Sequence, residues 1–292
     1  MGDDIGMRLS GKTAIVTGAG RGIGEAIAMA FAREDCSLVL ASRTKTELEA
    51  VAQRARDRGA RAEVVVADVA KTADVARLAA TAFERFGTVD LLVNNAGVYG
   101  PIGRFTDVDV DEWWRAIETN LRGALLCIHA VAPAMIAAGR GKIINMSGGG
   151  AASPLPRLTA YSVSKTAVVR LTENLAEELR PHNVQVNAIA PGAVDTRLQD
   201  QLLEAGEQAA GELYGRIRKL RDTGAGGVPP TVAAELALFL ATSGSDHVTG
   251  RLISAPHDPW RDWFDAATTP PAPMFTLRRL DPFTLAPIKG LF

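Results

Sequence analysis

A tyrosine and a lysine stand four residues apart in the segment AYSVSK, as Tyr161 and Lys165. On a helix, this spacing places both side chains on one face, one turn apart. An ammonium group close to a phenol favours the phenolate and lowers the pKa of the tyrosine from its usual value of about 10. The pair therefore predicts a proton-transfer site, although the same spacing also occurs by chance on solvated helix faces.

A glycine-rich turn, TGAGRGIG at residues 17–24, indicates a second kind of chemistry. It follows a predicted strand and opens a predicted helix, where glycines let the backbone approach a pyrophosphate at the positive end of the helix. The spacing is T-G-x-x-x-G-x-G, and the alternative is a glycine-rich turn without a ligand. We interpret the turn as a nucleotide site, with the cofactor-binding candidates Gly18, Arg21, Gly22, Ile23 and Gly24.

The end of the second predicted strand bears on which nucleotide would bind. A carboxylate at this place would hold the ribose 2′-hydroxyl of NAD. The chain has Ser42 and Arg43 there instead, and a guanidinium group pairs with phosphate in a fork. With Arg21 as a second positive charge, these residues favour NADP(H) over NAD(H); the alternative is that both arginines are solvated.

The elements that must position these residues can be predicted from the apolar pattern. Short β-branched runs predict strands at 12–17, 37–42, 62–68, 89–97, 142–147, 184–192 and 250–255. Amphipathic stretches predict helices at 24–34, 45–59, 72–87, 111–139, 159–180, 197–221 and 231–242. Strands that are apolar on both faces and alternate with helices indicate a doubly wound α/β fold, with a parallel sheet covered on both sides.

The composition excludes several classes of function. The chain has 292 residues, a formal net charge of -1 and two cysteines, so no strong electrostatic attraction to nucleic acid and no disulfide framework are expected. The four histidines have no metal-ligand spacing, and no metal is expected. We find no secretory signal and no uninterrupted apolar run long enough for a bilayer, and we expect a cytoplasmic protein.

Six motifs in this order resemble the short-chain dehydrogenase/reductase family. They are T-G-x-x-x-G-I-G at 17–24, Asp68, N-N-A-G at 94–97, Asn120, Y-x-x-x-K at 161–165 and P-G-x-x-x-T at 191–196, and they cover about residues 7–255. The resemblance implies an NAD(P)-binding Rossmann-type fold with a mostly parallel, seven-stranded sheet. It also implies hydride transfer between the cofactor and a secondary alcohol or ketone.

The resemblance also implies a role for each matching residue. Tyr161 would exchange a proton with the substrate oxygen, Lys165 would lower its pKa and hold the nicotinamide ribose, and Asn120 would anchor a water in a proton relay. The further cofactor-binding residues that the resemblance implies are Asp68, Val69, Asn94, Ala96, Gly97, Pro191, Gly192, Val194 and Thr196.

One position departs from the family pattern. The family has a serine thirteen residues before the tyrosine, but Gly148 stands there and Ser147 comes one place early. A shift of one residue turns a strand side chain to the other face, unless the following glycines let the strand bulge. Ser147 is therefore a catalytic candidate by distortion, the weaker substitute is Ser153, and the third possibility is that the hydroxyl is absent.

The segment 256–292 differs from the predicted domain 1–255 because it is rich in proline and aromatic residues. Large apolar side chains on a solvated tail are costly, so we expect an extended strap that packs on this subunit or crosses to a neighbour in a homodimer or homotetramer. His257 and Trp260 are the residues of the strap expected nearest a substrate pocket.

Three functions remain open at this point. The first is an NADP(H)-dependent oxidoreductase, with an NAD(H)-dependent dehydrogenase of a polyol or sugar as its variant. The second is a dehydratase, epimerase or isomerase with a tightly held nicotinamide. The third is a catalytically weak regulator that binds the nucleotide, which the intact Asn120, Tyr161 and Lys165 disfavour.

Overall fold

The computed structural model of the protein describes residues 8–224, 226–263, 267–268 and 274–278. The strands are β1 (Thr13–Thr17), β2 (Ser37–Ser42), β3 (Ala62–Val66), β4 (Leu91–Asn94), β5 (Gly141–Met146), β6 (Val184–Ala190) and β7 (Leu252–Ser254). The α-helices are α1 (Gly22–Arg33), α2 (Lys45–Arg56), α3 (Thr72–Phe86), α4 (Val110–Ile117), α5 (Gly123–Ala138), α6 (Thr159–Leu179), α7 (Arg197–Ala210), α8 (Glu212–Thr223) and α9 (Pro230–Ala241).

Within the described residues, the strands form one parallel sheet of seven in the order β3-β2-β1-β4-β5-β6-β7. The predicted doubly wound, seven-stranded Rossmann-type fold is confirmed. The chain builds outward from β1 to β3 and then returns to place β4 on the other side of β1. The carboxyl ends of β1 and β4 thus form the crevice in which open α/β sheets bind their ligands.

The sheet is buried on both faces, which is why its strands lack a polar side. Ala14 and Val16 of β1 belong to one apolar cluster, together with Phe31 of α1. Ile15, between them, belongs to the cluster on the opposite face, together with Leu78 of α3. Successive side chains of a strand point to opposite faces, so one apolar strand contributes to both cores.

Two of the predicted helices are interrupted. The stretch 111–139 forms α4 and α5 joined by a π-helical turn, Glu118–Arg122, and Pro133 lies inside α5. The stretch 197–221 forms α7 and α8, which are separated at Gly211, where φ is 60° and ψ is -137°. A residue with a side chain rarely adopts such a conformation, so the glycine permits the chain to change direction there.

The segment Val110–Ala138 is long and apolar enough, by length and composition alone, to cross a membrane, and a third of its most apolar window is buried. This differs from the sequence-based expectation, which counted only uninterrupted apolar runs. A core helix of a soluble protein meets the same criterion, so length and composition alone are weak evidence for a membrane span. The buried residues Cys127, Val131 and Met135 of α5 pack in the apolar cluster on the sheet.

The described part of the C-terminal segment packs on the same subunit. Trp260 and Trp263 lie in the first apolar cluster, and the Trp263 side chain is 1% exposed. Farther along, the main-chain oxygen of Phe275 accepts a hydrogen bond of 2.7 Å from the N–H of Leu252 in the edge strand β7. The Leu277 N–H donates to the Glu173 carboxylate on α6. The residues between and beyond these segments, in which the sequence suggested contact with a neighbouring subunit, lie outside the described residues.

Candidate active site

A cavity of about 850 Å³ lies at the carboxyl ends of β1 and β4, between the glycine turn and the start of α7. Its wall contains most of the residues that the sequence analysis selected as catalytic or cofactor-binding candidates. These are Gly18, Arg21, Gly22, Ile23, Ser42, Arg43, Asp68, Val69, Ala96, Gly97, Ser147, Tyr161, Lys165, Pro191, Gly192, Val194 and Thr196. Three selected residues, Gly24, Asn94 and Asn120, do not line it.

The glycine turn brings main-chain atoms against one another. A Cβ atom on Gly18 would come within 2.9 Å of the Asn95 Nδ2 atom, and one on Gly24 would come within 2.3 Å of the Gly18 carbonyl oxygen. Gly24 thus serves the packing of α1 on the turn. The helix begins after Arg21 with no side chain hydrogen-bonded to its first N–H groups. Unpaired N–H groups at a helix start form a site for a phosphate anion, so the turn fits a dinucleotide.

An asparagine that the sequence analysis did not select holds the glycine turn in place. The Asn95 Nδ2 atom donates to the main-chain oxygens of Thr17, at 3.0 Å, and Gly18, at 3.1 Å. The Thr17 Oγ1 atom accepts from the N–H groups of Asn95 and Ala96. Asn94, which was selected, instead donates to Asn145 on β5 at 2.9 Å. The motif N-N-A-G contains both asparagines, and only the tertiary contacts distinguish them.

An acidic residue, Glu47, lies in the cavity wall beside the glycine turn. The Glu47 carboxylate, on α2, accepts hydrogen bonds of 2.7 and 2.9 Å from Arg21 and lies 3.6 Å from the Arg197 guanidinium. A Cβ atom on Gly20 would be 3.3 Å from both a Glu47 carboxylate oxygen and the Ser42 Oγ atom. The sequence analysis missed Glu47, because its approach to the turn depends on how α2 packs. Arg21 therefore has a carboxylate partner, whereas no ion pair involves Arg43 within the described residues.

Tyr161 and Lys165 lie on one face of α6, as their spacing predicts, and both are buried. The Lys165 Nζ atom donates a 2.7 Å hydrogen bond to the Met146 carbonyl oxygen and lies 5.7 Å from the centre of the Tyr161 ring. Burial raises the pKa of Tyr161 and lowers the pKa of Lys165 to about 8. The raised pKa of Tyr161 reflects its burial and the neighbouring Tyr99, and the lowered pKa of Lys165 reflects its burial. That the lysine favours the phenolate during the reaction stays a prediction.

A second tyrosine of the cavity wall, Tyr99, packs against Tyr161. The Tyr99 ring meets the Tyr161 ring edge-on, with centroids 4.9 Å apart. Burial raises the pKa of Tyr99 to about 12, and this neighbour further disfavours the phenolate of Tyr161. Both hydroxyls are therefore protonated at neutral pH.

Asn120 lies inside the π-helical turn and is buried. Its side chain exchanges two hydrogen bonds of 2.8 Å with the main chain of Val98 and donates to the Ser164 Oγ atom at 2.9 Å. These bonds occupy both ends of the amide. Asn120 therefore joins the loop after β4 to α6, on which Tyr161 and Lys165 stand.

The position of the expected serine is filled by the tyrosine itself. A Cβ atom on Gly148 would come within 2.1 Å of the Tyr161 Oη atom, so any side chain there would displace the tyrosine. Ser147 follows the last residue of β5, is 3% exposed, and lines the cavity. Its Oγ atom has no hydrogen-bond partner among the described residues. Ser153, the weaker candidate, is exposed and does not line the cavity.

The predicted approach of the C-terminal segment to the cavity is not seen in its described part. The Trp260 ring packs on Phe239, with centroids 5.9 Å apart, and its Nε1 atom donates to the Ala255 carbonyl oxygen. Neither Trp260 nor His257 lines the cavity. The start of α7 closes that side instead, with Leu198 and Gln199.

Comparison with known proteins agrees with this geometry. A family model described as short chain dehydrogenase matches residues 12–207. The chain is 39% identical to oxidoreductase UcpA of Escherichia coli strain K12 over an alignment of 251 residues, and the alignment covers 83% of this chain and 92% of that protein.

Two solved structures resemble the chain closely. An actinorhodin polyketide ketoreductase with NADPH has a TM-score of 0.76 and 30% identity, covering 85% of this chain and 97% of its own. An NAD⁺-bound xylitol dehydrogenase has a TM-score of 0.75 and 29% identity, covering 84% of this chain and 98% of its own.

Proposed function

Because the chain belongs to the short-chain dehydrogenase/reductase family and is an oxidoreductase of that family, we propose that it interconverts a secondary alcohol and a ketone with NADP(H). The observation that carries this proposal is the buried pair Tyr161 and Lys165 in the wall of the cavity that the glycine turn opens. When bound, the nicotinamide supplies or accepts the hydride, and the protein must orient it and exchange the proton.

Tyr161 is the proton donor in this proposal. Because burial raises its pKa, the hydroxyl is protonated at neutral pH and can donate to the oxygen of a ketone as that oxygen gains negative charge. Lys165, with a pKa of about 8, remains mostly charged at pH 7 and stabilises the phenolate that forms. This arrangement favours ketone reduction at neutral pH and alcohol oxidation at higher pH.

Asn120 and Ser147 support the same step in different ways. Asn120 is a positioning residue, because its amide holds Val98 and Ser164 on either side of the pair. The Ser147 hydroxyl is buried in the cavity wall with no partner among the residues described, so it is available to donate to the substrate oxygen. A donor fixed at the developing charge stabilises the transition state.

The proposed preference for NADP(H) rests on Arg43 and Ser42. Arg43 is exposed at the cavity rim, and no ion pair within the described chain engages it, so its guanidinium can bind a 2′-phosphate. Arg21 can contribute only by leaving Glu47, which binds it through both carboxylate oxygens. Asp68 and Val69, which also line the cavity, remain the residues proposed for the adenine.

An NAD(H)-dependent dehydrogenase, for example of a polyol or sugar, is the second candidate because of Glu47. Its carboxylate lies beside Ser42 and the glycine turn, where it could accept a hydrogen bond from a ribose 2′-hydroxyl and would repel a 2′-phosphate. The two solved relatives illustrate both outcomes, since one contains NADPH and the other NAD⁺.

A homodimer or homotetramer is part of the proposal. Among the exposed large apolar side chains are Trp114 on α4, Leu125 on α5 and Val163 on α6. Exposed apolar side chains of this kind favour a surface between subunits. Light scattering of wild type and Trp114→Glu tests this, because the variant should lose mass per assembly and wild type should exceed the monomer mass of 30.9 kDa.

The experiment that tests the proposed function follows cofactor absorbance at 340 nm with a panel of ketones and alcohols. Wild type should oxidise NADPH with ketones, and Tyr161→Phe should be slower by about two to four orders of magnitude. Tyr99→Phe is the matched control, because it removes the neighbouring buried hydroxyl and should keep most of the activity. Wild type that uses neither cofactor with any member of the panel would contradict the proposal.

A further inference from the structure

Gln199, the third residue of α7, has an unpaired oxygen in the wall of the active-site cavity. The residue is 5% exposed, and its Oε1 atom has no hydrogen-bond partner in the part of the chain that the structure describes. It lines the same cavity as Tyr161 and Ser147. A buried acceptor without a donor costs about 1–3 kcal/mol, so an unpaired oxygen at this place calls for an explanation.

A structural role at the start of the helix does not provide that explanation. Thr196 precedes the first residue of α7, and a glutamine three positions later often accepts a hydrogen bond from the N–H of such a residue. That bond is not formed here, because the Gln199 Oε1 atom is unpaired, and no side chain caps the helix at Thr196. The contact that is formed joins the Gln199 N–H to the Thr196 carbonyl oxygen at 2.8 Å, and it uses only main-chain atoms.

Two leucines of α7 near Gln199 pack against the tyrosines of the cavity. The adjacent residue Leu198 and the next turn's Leu202 pack in a cluster with Tyr99 and Tyr161. Ligand sites typically combine such apolar walls with a few polar groups that fix orientation. One acceptor on an apolar wall recognises a ligand that is largely apolar and carries one hydrogen-bond donor.

We propose that Gln199 determines substrate specificity by accepting a hydrogen bond from a second donor group, a hydroxyl or an amide N–H, on an otherwise apolar ketone or alcohol. This inference rests on the proposed function, because the reacting carbonyl is the one that Tyr161 protonates. The substrate thus has two polar groups, one at Tyr161 and Ser147 and another at α7. A site built to bind a donor rejects an analogue that lacks it, since the acceptor is then left unpaired.

The test compares Gln199→Met with wild type on pairs of alicyclic ketones that differ only in a hydroxyl or a methyl group at the ring position opposite the carbonyl. Methionine keeps the length of the side chain and removes the acceptor. We expect wild type to favour the hydroxylated ketone about tenfold or more in kcat/KM. Gln199→Met should lose that preference while its kcat/KM for the methyl ketone stays within about twofold of wild type.

Two controls separate this role from others. Gln201→Met changes an exposed glutamine of the same helix that also borders the cavity, and it should keep the wild-type preference. The Kd for NADPH, measured by calorimetry, should be the same in wild type and Gln199→Met. If methionine disturbs folding, as a lower melting temperature would show, Gln199→Leu takes its place.

Each outcome bears on a definite claim. If wild type reduces the hydroxylated and the methyl ketone with equal kcat/KM, and Gln199→Met does the same, the role of Gln199 is overturned and the proposed function still stands. A weaker Kd for NADPH in Gln199→Met would also overturn it, because the oxygen would then serve the cofactor. If wild type reduces no ketone with either cofactor, the proposed function fails and the role of Gln199 fails with it.

Discussion

Replacing Lys165 with methionine should make the protein more stable and, at the same time, inactive. The lysine is buried, and its pKa falls from the ordinary 10.5 to about 8. Each pKa unit corresponds to 1.36 kcal/mol, so keeping this group charged in the folded protein at pH 7 costs about 3 kcal/mol. Loss of the hydrogen bond to the Met146 carbonyl oxygen offsets about 1 kcal/mol. The net gain of about 2 kcal/mol should raise the melting temperature by roughly 4–8 °C.

The gain should also depend on pH in a definite direction. The unfolded chain keeps the lysine proton up to pH 10.5, whereas the folded protein releases it above about pH 8. The free energy of unfolding of wild type therefore rises between these values relative to Lys165→Met. The advantage of the variant is complete below pH 8 and shrinks as the pH approaches 10.5.

Thermal unfolding at pH 7 and pH 9.5, followed by circular dichroism, measures both effects. Lys142→Met is the matched control, because Lys142 is also buried but pairs with the Asp246 carboxylate at 2.7 Å and with Ser245, and it should gain less. A Lys165→Met variant that is less stable than wild type at pH 7, or whose advantage does not change with pH, would refute this reasoning.

Cofactor choice, transition-state stabilisation and core packing can each be tested separately. By calorimetry, Arg43→Ala should weaken NADP(H) binding about 10- to 150-fold and leave NAD(H) binding unchanged. Glu47→Gln should strengthen NADP(H) binding. Equal affinities for both cofactors in wild type would contradict the preference for NADP(H). Ser147→Ala should lower kcat about a hundredfold without changing the Kd for NADPH, and a near-silent variant would exclude the hydroxyl as donor. Trp263→Ala should lose about 3–5 kcal/mol in urea unfolding, while the exposed Phe105→Ala should stay within about 0.5 kcal/mol; similar losses would contradict the assigned burial.

The strands and the glycine turn could be predicted because they depend on local pattern. An apolar run such as β1 contributes to both faces of the sheet whatever its neighbours are, and the turn at Gly18 and Gly24 leaves no room for a Cβ atom. The π-helical turn around Asn120 could not be predicted from a helical period. The residues that hydrogen-bond to Asn120, namely Val98 and Ser164, are far away in the sequence.

The parts of the site that the sequence did not yield depend on burial and on tertiary approach. The pKa directions of Tyr161 and Lys165 depend on how much water the fold excludes, which residue spacing does not specify. Glu47 meets Arg21 only because α2 packs beside the glycine turn. Ser147 stands one place before the expected position 148, so the sequence did not show which hydroxyl meets the substrate oxygen. The close approach of the Tyr161 hydroxyl to Gly148 appears only in three dimensions.

The central claim is that this cavity transfers a hydride from a nicotinamide to a ketone while Tyr161 donates the proton. Reduction of a ketone with NADPH that carries deuterium at the transferred C4 position, followed by mass spectrometry, tests it most directly. Wild type should give an alcohol with one deuterium on the carbinol carbon, and Tyr161→Phe should give it about a hundredfold or more slowly with an unchanged Kd for NADPH. An alcohol without deuterium, or a phenylalanine variant as fast as wild type, would contradict the account.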